Sequence, residues 1–357
     1  MKKMKLDKNL KSSLITYGMV VAFYIVMQTL VMTDHLSSLM EGLLVPLCIY
    51  SIMAVSLNLT VGILGELSLG HAGFMCVGAF VGAFFSKCMV GAMPDVIRFV
   101  CAILLGAFMA GVFGLLIGIP VLRLKGDYLA IVTLGFGEII KNLVNVFYVG
   151  RDSKGFHFSM KDTLSLGLEA EGEVIIKGAQ GITKTPQDSN FTVGVILLLI
   201  TLFIVLNFIN SRSGRAVMAI RDNRIAAESV GINITKYKLM AFSISAALAG
   251  VAGVLYAHNL TTLTALPKNF GYNQSIMILI FVVLGGIGNI RGSVIGAVVL
   301  TLLPELMRSL QDYRMLIYAV VLIGVMLFTW SPKAKEFRER YSVKRLLEVK
   351  KAKKGDK

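Results

Sequence analysis

Charged residues are scarce in this sequence. They make up 16% of the 357 residues, whereas 55% are hydrophobic and the mean hydropathy is +0.74. Soluble globular domains carry about 25% charged residues, so this composition argues against a water-soluble protein. It favours a chain that is embedded in a lipid bilayer.

Cysteine is also scarce. The four cysteines, at positions 48, 76, 88 and 101, form no CxxC pair and no metal-ligand spacing with histidine. The sequence therefore indicates neither a disulfide framework nor a zinc site, and we interpret the cysteines as small packing residues. No metal and no other cofactor is predicted.

Signatures of ATP binding and of catalysis are missing. No G-x-x-x-x-G-K-[ST] motif occurs, so this chain is not predicted to bind the phosphates of ATP itself. No pairing of a nucleophile with a base and no metal cluster stands out. The sequence thus disfavours an enzyme.

Long apolar runs fill most of the chain, and a helix needs about 20 apolar residues to cross a bilayer. Ten runs occur, at 14–32, 43–62, 70–86, 99–119, 128–149, 191–210, 239–257, 274–290, 293–307 and 315–330. The first has a 19-residue core and no small-x-small cleavage site after it, so we interpret it as a retained helix rather than a signal peptide. The pattern predicts an all-α, polytopic membrane protein of about ten transmembrane helices, with a membrane domain over residues 14–331.

Basic residues are divided unevenly between the two sides that ten spans would create. With the N-terminus inside, 25 lysines and arginines fall on the inner side and 10 on the outer side. The positive-inside rule therefore predicts that both termini, residues 1–13 and the basic tail 332–357, are cytoplasmic. Residues 150–190 become an external loop with a hairpin or short helix of its own, and residues 211–238 a cytoplasmic loop. Topology thus explains the net charge of +15, and no nucleic-acid partner is predicted.

The stretch GELSLGHAGF, residues 65–74, places polar residues and glycines inside an apolar run. Each glycine costs up to about 1 kcal/mol in a helix interior, so the glycines here predict a broken helix near residues 62–70. Non-helical backbone at membrane depth must be buried in protein or line a cavity, so the break is either a structural support or part of a pathway wall. Glu66 and His71, like Glu138 further along the chain, are ionisable groups within or near the bilayer and should face the protein interior, a partner or water. We expect Ser68 and His71 to supply hydrogen bonds to the backbone groups that the break releases.

A second polar feature lies in the middle of the span 127–149. At 100° per residue, one helix face collects Asp127, Glu138, Lys141, Asn142 and Asn145. That face is either held by a Glu138–Lys141 pair that locks helices together or forms part of a solvated translocation path. The residues assigned to a candidate path are Asn58, Glu66, Ser68, His71, Thr133, Glu138 and Asn142.

Small residues recur every four positions in three other runs. They are Gly106, Ala110, Gly114 and Gly118, then Ala249, Gly253 and Ala257, and then Gly288, Gly292 and Gly296. Lipid gives helices no hydrophobic reason to associate, so such stripes favour close helix contacts held by dispersion.

The cytoplasmic loop 211–238 is helix-like and strongly charged. Its pattern predicts one helix from Arg215 to Val230 that Gly231 stops. One face carries Arg221, Arg224 and Glu228, and the opposite face carries Ala219, Asn223, Ala226 and Val230. Such a helix either lies on the membrane surface or docks into a groove of another protein, and the shallow, alanine-rich face favours docking.

Four segments, taken in order, resemble a known family. They are LSLGHAGF at 67–74, GDYLAIVTLGFGEIIKNLV at 126–144, SGRAVMAIRDNRIAAESVGIN at 213–233 and VLGGIGNIRGSVIGA at 283–297. Together they are similar to the M-type permease subunit of branched-chain amino-acid ABC importers, over roughly residues 43–330.

The resemblance implies a multi-pass subunit of the bacterial cytoplasmic (inner) membrane. It implies four protein partners: a second, homologous permease subunit, two ATP-binding subunits that hydrolyse ATP, and an extracytoplasmic substrate-binding protein. The loop 211–238 resembles the segment that couples such permeases to their ATPases. The residues expected to make that coupling are Arg215, Arg221, Asp222, Arg224, Ala226, Ala227, Glu228 and Gly231.

Two alternatives remain open at the level of sequence. Permeases for urea or short-chain amides share the same motifs. An ion-coupled secondary transporter, in which Glu66 and Glu138 would titrate, is a hypothesis of a different class. It differs in predicting transport by the chain alone along an ion gradient, without ATPase subunits.

Overall fold

The computed structural model describes residues 8–124, 126–169 and 172–306, together with isolated positions between 313 and 327. The basic tail 332–357 and most of the apolar run 315–330 lie outside the described residues. The chain divides into two compact units, residues 1–298 and 299–357. The contacts that follow lie within the first unit.

The described residues form twelve α-helices. They are α1 (Lys8–Met32), α2 (Ser38–Asn58), α3 (His71–Cys88), α4 (Asp95–Val121), α5 (Asp127–Val146), α6 (Phe191–Asn210), α7 (Arg212–Asp222), α8 (Arg224–Ser229), α9 (Ile234–Ala257), α10 (Pro267–Phe270), α11 (Tyr272–Gly285) and α12 (Ile290–Leu306). A π-helical turn, Leu59–Leu64, follows α2 directly.

Seven of these helices, α1 to α6 and α9, are long and apolar enough to cross a membrane. Helix α11 has 14 residues and α12 has 17. At 1.5 Å per residue α11 is about 21 Å long, short of a hydrocarbon core of about 30 Å, and α12 is described only as far as Leu306. The part of the chain that the structure describes is therefore a polytopic, mainly helical membrane protein with seven candidate spans.

Helix α9 packs against α2, α3 and α4. Its glycines allow very close approach: a Cβ on Gly253 would lie 2.0 Å from the carbonyl oxygen of Met75 in α3. The predicted α4 stripe also faces α9, since a Cβ on Gly114 would lie 2.6 Å from Cβ of Ala246. The prediction that small residues mark close helix contacts is confirmed for these helices.

Five short strands accompany the helices of this mainly helical chain. They are β1 (Tyr148–Asp152), β2 (Gly155–Ser159), β3 (Glu173–Lys177), β4 (Ile182–Thr183) and β5 (Thr262–Leu263). Strands β1 and β2 form an antiparallel hairpin, β3 pairs with the other edge of β1, and β4 pairs with β5. The predicted loop 150–190 thus does carry a hairpin, because alternating residues on either side of a tight turn favour strand pairing.

The loops between spans gather at two ends of the bundle. At one end, Arg151 of β1 donates to the carbonyl of Cys88 at 3.1 Å, and Arg98 donates to the carboxylate of Asp188 at 2.8 Å. At the other end, Arg221 of α7 contacts the turn after α2. The loops that the charge pattern assigned to opposite sides therefore lie at opposite ends.

Candidate functional site

The α2–α3 junction (residues 59–70) interrupts the helical run in its middle. Helix α2 ends at Asn58 and continues as the π-helical turn, all six residues of which are buried. Gly65 then adopts a left-handed conformation with φ +79°, and residues 66–70 belong to no helix before α3 begins. A π-helical turn interrupts the regular hydrogen-bond ladder and is frequent at functional sites.

The two polar side chains predicted to serve this junction differ in their surroundings. His71 Nε2 lies 2.8 Å from Ser56 Oγ, and the Ser56 hydroxyl donates to the carbonyl of Met53 at 2.9 Å. Because that hydroxyl has one hydrogen, the His71 Nε2–H must be the donor to Ser56. Ser68 Oγ is buried and has no hydrogen-bond partner among the described residues. The prediction that Ser68 and His71 satisfy released backbone groups is therefore wrong.

The released backbone donors instead find hydroxyls on other helices. The Leu69 N–H donates to Thr133 Oγ1 of α5 at 3.0 Å, and the Ala72 N–H donates to Ser275 Oγ of α11 at 3.1 Å. A buried donor left without a partner costs about 1–3 kcal/mol. Thr133 and Ser275 therefore stabilise the non-helical backbone from two directions.

Asn58 joins the junction to the turn before α12. Its Oδ1 accepts the Gly288 N–H at 2.8 Å, and its Nδ2 donates to Ser293 Oγ at 2.7 Å. A Cβ on Gly62 would lie 2.0 Å from Asn58 Oδ1 and 2.3 Å from the Gly288 nitrogen. Gly62 thus permits a backbone approach that no other residue allows, and the buried amide of Asn58 is bonded at both ends.

Glu138 is engaged on both sides. Its Oε2 pairs with the buried ammonium of Lys141, and its Oε1 accepts the backbone N–H of Tyr272 at 2.8 Å. Tyr272 is the first residue of α11, so the carboxylate also sits at the positive end of that helix dipole. Of its predicted neighbours, Asn142 is exposed, whereas Asn145 Nδ2 donates to the carbonyl of Ala265 at 3.0 Å. The Glu138 side chain therefore ties α5 to α11.

The predicted helix 215–230 is not continuous. The segment forms two helices, α7 and α8, separated at Asn223, whose backbone is extended at φ −154° and ψ 104°. Asn223 Oδ1 accepts the Ala226 N–H at 3.1 Å, so Asn223 caps the second helix. Gly231 does follow the last helix, with φ +84°. The prediction of one helix is wrong because asparagine at position 223 satisfies the start of a new helix better than it continues the old one.

The break at Asn223 also changes which side chains point outward. Ala227 is buried and packs with Ile220 and Ile234, whereas Ile225 is 81% exposed and Val230 is 74% exposed. Exposed residues of the coupling set are Arg215, Arg221, Asp222, Arg224, Ala226, Glu228 and Gly231. The outward surface therefore presents Ile225 and Val230 among charged side chains.

Two cations of the loop 211–238 reach the α2–α3 junction. The Arg221 Nη1 donates to the carbonyl oxygen of Gly62 at 2.8 Å. The Lys238 ammonium, on the first turns of α9, pairs with the Glu66 carboxylate, and both side chains are largely buried. Arg221 therefore bonds within its own chain, whereas Arg224 and Glu228, which were predicted on the same face, are exposed.

The chain matches a known family of membrane proteins over most of its length. Residues 39–329 match the family described as branched-chain amino acid transport system, permease component. The chain belongs to this permease family.

Individual relatives of the permease are similar over most of its length. It is 36% identical over 295 residues to the high-affinity branched-chain amino acid transport system permease protein LivM of Salmonella typhimurium, covering 80% of this chain and 67% of LivM. It is 22% identical over 286 residues to the high-affinity branched-chain amino acid transport system permease protein LivH of Escherichia coli, covering 78% of this chain and 88% of LivH. It is 25% identical over 313 residues to the fructose import permease protein FruG of Bifidobacterium longum, covering 85% and 84%. No solved structure matches the chain.

Three residues that bond to the α2–α3 junction or to its flanking helices were not predicted from the sequence. Lys238, Ser275 and Ser293 each bond a residue of α2, of α3 or of the junction between them. Ser293 lies within the glycine-rich stretch 283–297 that supported the family resemblance, and this was the sequence signal that could have pointed to it. In the part of the chain that the structure describes, no three His, Cys, Asp or Glu side chains group as metal ligands would.

Proposed function

We propose that this chain is the permease subunit of an ATP-driven importer of branched-chain amino acids in a bacterial cytoplasmic membrane. The observation that supports this most directly is the family match over residues 39–329, together with 36% identity to LivM. The chain itself forms part of the translocation path, and ATP hydrolysis takes place in separate subunits.

The partners follow from the same relationship. LivH is a second permease of a branched-chain amino acid transport system, and the similarity of this chain to it fits a pair of homologous subunits. Two ATP-binding subunits would dock on α7 and α8, whose exposed Ile225 and Val230 offer apolar contacts amid charged neighbours. An extracytoplasmic binding protein would deliver the substrate at the end where the small sheets lie.

The topology that we propose keeps the sides given by the charge pattern. Both termini, residues 1–13 and 332–357, are cytoplasmic, as is the coupling loop 211–238, and the loop 150–190 is external. The membrane domain 14–331 has about ten helices when α11, α12 and the run 315–330 are added to the seven candidate spans. The α2–α3 junction then breaks the helical run near residues 62–70, at the end of the bundle where Arg221 of the coupling loop contacts it.

The candidate path residues have two kinds of role in this proposal. Asn58, Thr133, His71 and Glu138 each hold a hydrogen bond or ion pair between segments, which supports the wall of the path. Ser68, the exposed Asn142 and the largely buried Glu66 add polar groups along it. The two acids that an ion-coupled carrier would titrate, Glu66 and Glu138, each have a lysine partner, which favours a fixed electrostatic role for both.

Reconstitution tests the proposal. The permease, co-purified with its second permease and ATPase subunits, is placed in proteoliposomes with the binding protein and radiolabelled leucine. Uptake that needs ATP and all subunits is expected, and unlabelled isoleucine or valine should compete. Competition by urea or short-chain amides alone would indicate the alternative substrate class. Uptake by the chain alone along an ion gradient would contradict the proposal.

A further inference from the structure

Arg221 reaches out of the coupling segment (residues 212–229) and into the α2–α3 junction. Its Nη1 donates to the Gly62 carbonyl at 2.8 Å, and its Nε and Nη2 donate to Asp222 Oδ1 at 3.0 and 2.9 Å. A Cβ on Gly65 would lie 2.5 Å from Arg221 Cγ. The side chain is thus held by a carboxylate on one side and by junction backbone on the other.

The Gly62 carbonyl is a suitable acceptor for a cation. It belongs to the last residues of the π-helical turn, and the final carbonyls of a helix lack an N–H partner from the following turn. The negative end of the helix dipole lies at the same place, so an arginine there is favoured electrostatically. Arg221 therefore satisfies an oxygen that the end of the turn leaves exposed.

A second cation holds the other side of the junction. Lys238 of α9 pairs with Glu66, four residues after Gly62. The turn is also bonded through Asn58 to Gly288, in front of α12. Any displacement of Arg221 therefore acts on a turn whose remaining bonds lead to α9 and α12.

We propose that Arg221 is the positioning residue through which the coupling segment moves the end of transmembrane helix α2. This inference rests on the proposed function, since it assumes that ATPase subunits displace α7. The Arg221–Gly62 contact is a rigid link: it carries the displacement into the membrane domain and does not contact the ATPase subunits.

Substitutions on both sides of the contact test the link in the complete reconstituted complex. Arg221→Gln shortens the side chain and removes its charge, and Gly65→Ala adds a Cβ that collides with Arg221. For both, leucine taken up per ATP hydrolysed should fall at least about fivefold, the lower end of typical coupling strengths. The ATPase subunits should still co-purify at the wild-type ratio.

Gly91→Ala is the matched control for Gly65→Ala. Gly91 has φ +80°, close to the +79° of Gly65, but a Cβ there would meet nothing within 4 Å. Both substitutions place a side chain at nearly the same positive φ, and only Gly65→Ala disturbs Arg221. Equal losses of coupling in the two variants would overturn the inference.

A disulfide provides the complementary test. The Cβ of Gly65→Cys would lie 3.5 Å from Cβ of Arg221, within the range that a disulfide spans. The reduced Gly65→Cys/Arg221→Cys variant should be poorly coupled. Oxidation, verified by peptide mapping, should restore coupling, because a covalent bond replaces the rigid link. A purely structural role for Arg221 would leave uptake per ATP unchanged by oxidation.

The possible failures are distinguishable. Absence of ATP-driven leucine uptake by the wild-type complex would contradict the proposed function. Normal wild-type uptake with normal coupling in Arg221→Gln would contradict this inference alone. Loss of ATPase association in Arg221→Gln would assign Arg221 to docking, and failure of the disulfide to form would contradict the geometry.

Discussion

The carboxylate of Glu138 accepts the backbone N–H of Tyr272 at 2.8 Å, which bonds the middle of α5 to the first residue of α11. The same carboxylate pairs with Lys141, whose side chain is only 6% exposed. One acid thus stabilises a helix start and a buried cation together. Removing it leaves two groups without their partner.

Substitution of Glu138 should separate its structural role from its charge. Glu138→Leu leaves the Lys141 ammonium buried without its carboxylate, and breaking such a pair costs about 3–5 kcal/mol, so the folded yield should drop sharply. Glu138→Gln keeps an acceptor for the Tyr272 N–H and should fold while importing less. Size-exclusion chromatography and uptake assays measure both effects. Asn142→Leu, at an exposed position of the same helix, is the control and should fold normally.

The pair of Glu66 with Lys238 should tolerate exchange better than loss of one member. Lys238→Met leaves Glu66 largely buried without its cation and should lower the melting temperature of the purified protein. The exchange Glu66→Lys/Lys238→Glu restores opposite charges at the same place and should recover much of that loss. A double variant no more stable than Lys238→Met would show that the pair does not stabilise the fold.

Glu228 should matter for the ATPase subunits and little for the fold. It is exposed on α8, so Glu228→Lys leaves the bundle intact, but charge reversal at a desolvated contact costs several kcal/mol. Co-purification of the ATPases should weaken. Ala226→Trp, on the same exposed segment, should obstruct docking sterically. Glu41→Lys, an exposed reversal at the start of α2, is the control. Wild-type association of both α8 variants would remove α8 from the interface.

Cysteine labelling in intact cells checks the sides of the loops. The exposed Lys161 lies near the small sheet and the exposed Lys236 lies at the start of α9. An impermeant maleimide should modify Lys161→Cys and reach Lys236→Cys only after permeabilisation, because the charge pattern places 211–238 inside. The reverse pattern would invert the topology.

His258, which follows the span α9, should make stability depend on pH. Burial lowers the pKa of His258 below its ordinary value of 6.5, with smaller opposing effects from its hydrogen bond to Val254 and from Asp188, and a further lowering by Arg98. As pH falls through about 6.5 the unfolded chain therefore binds a proton more readily than the folded chain, so the free energy of unfolding falls as pH drops below that value. Melting temperatures at about pH 7.5 and 5.5 should differ more for the wild type than for His258→Gln. Equal differences would exclude His258 as a source of the dependence.

Much of the membrane architecture could be predicted from the sequence. Apolar runs gave the seven candidate spans, and the stripes of glycine and alanine gave the close contacts of α4 with α9. Hydropathy and side-chain size are properties of each residue that do not depend on the path of the rest of the chain. The family resemblance rested on four short segments taken together in their order along the chain, which can be read without knowing the fold.

Tertiary structure decided which groups meet. Asn58 bonds Gly288, 230 positions away, and Arg221 bonds Gly62 across 159 positions. It also decided that Thr133 and Ser275, rather than Ser68 and His71, satisfy the α2–α3 junction, and that Asn223 divides the coupling segment. Periodicity reports only which residues share a face of an assumed helix. The partner of a buried donor or charge depends on how helices distant in sequence pack. A hydrogen bond or ion pair forms with whichever group this packing brings within a few ångströms, and the local sequence pattern does not determine that group.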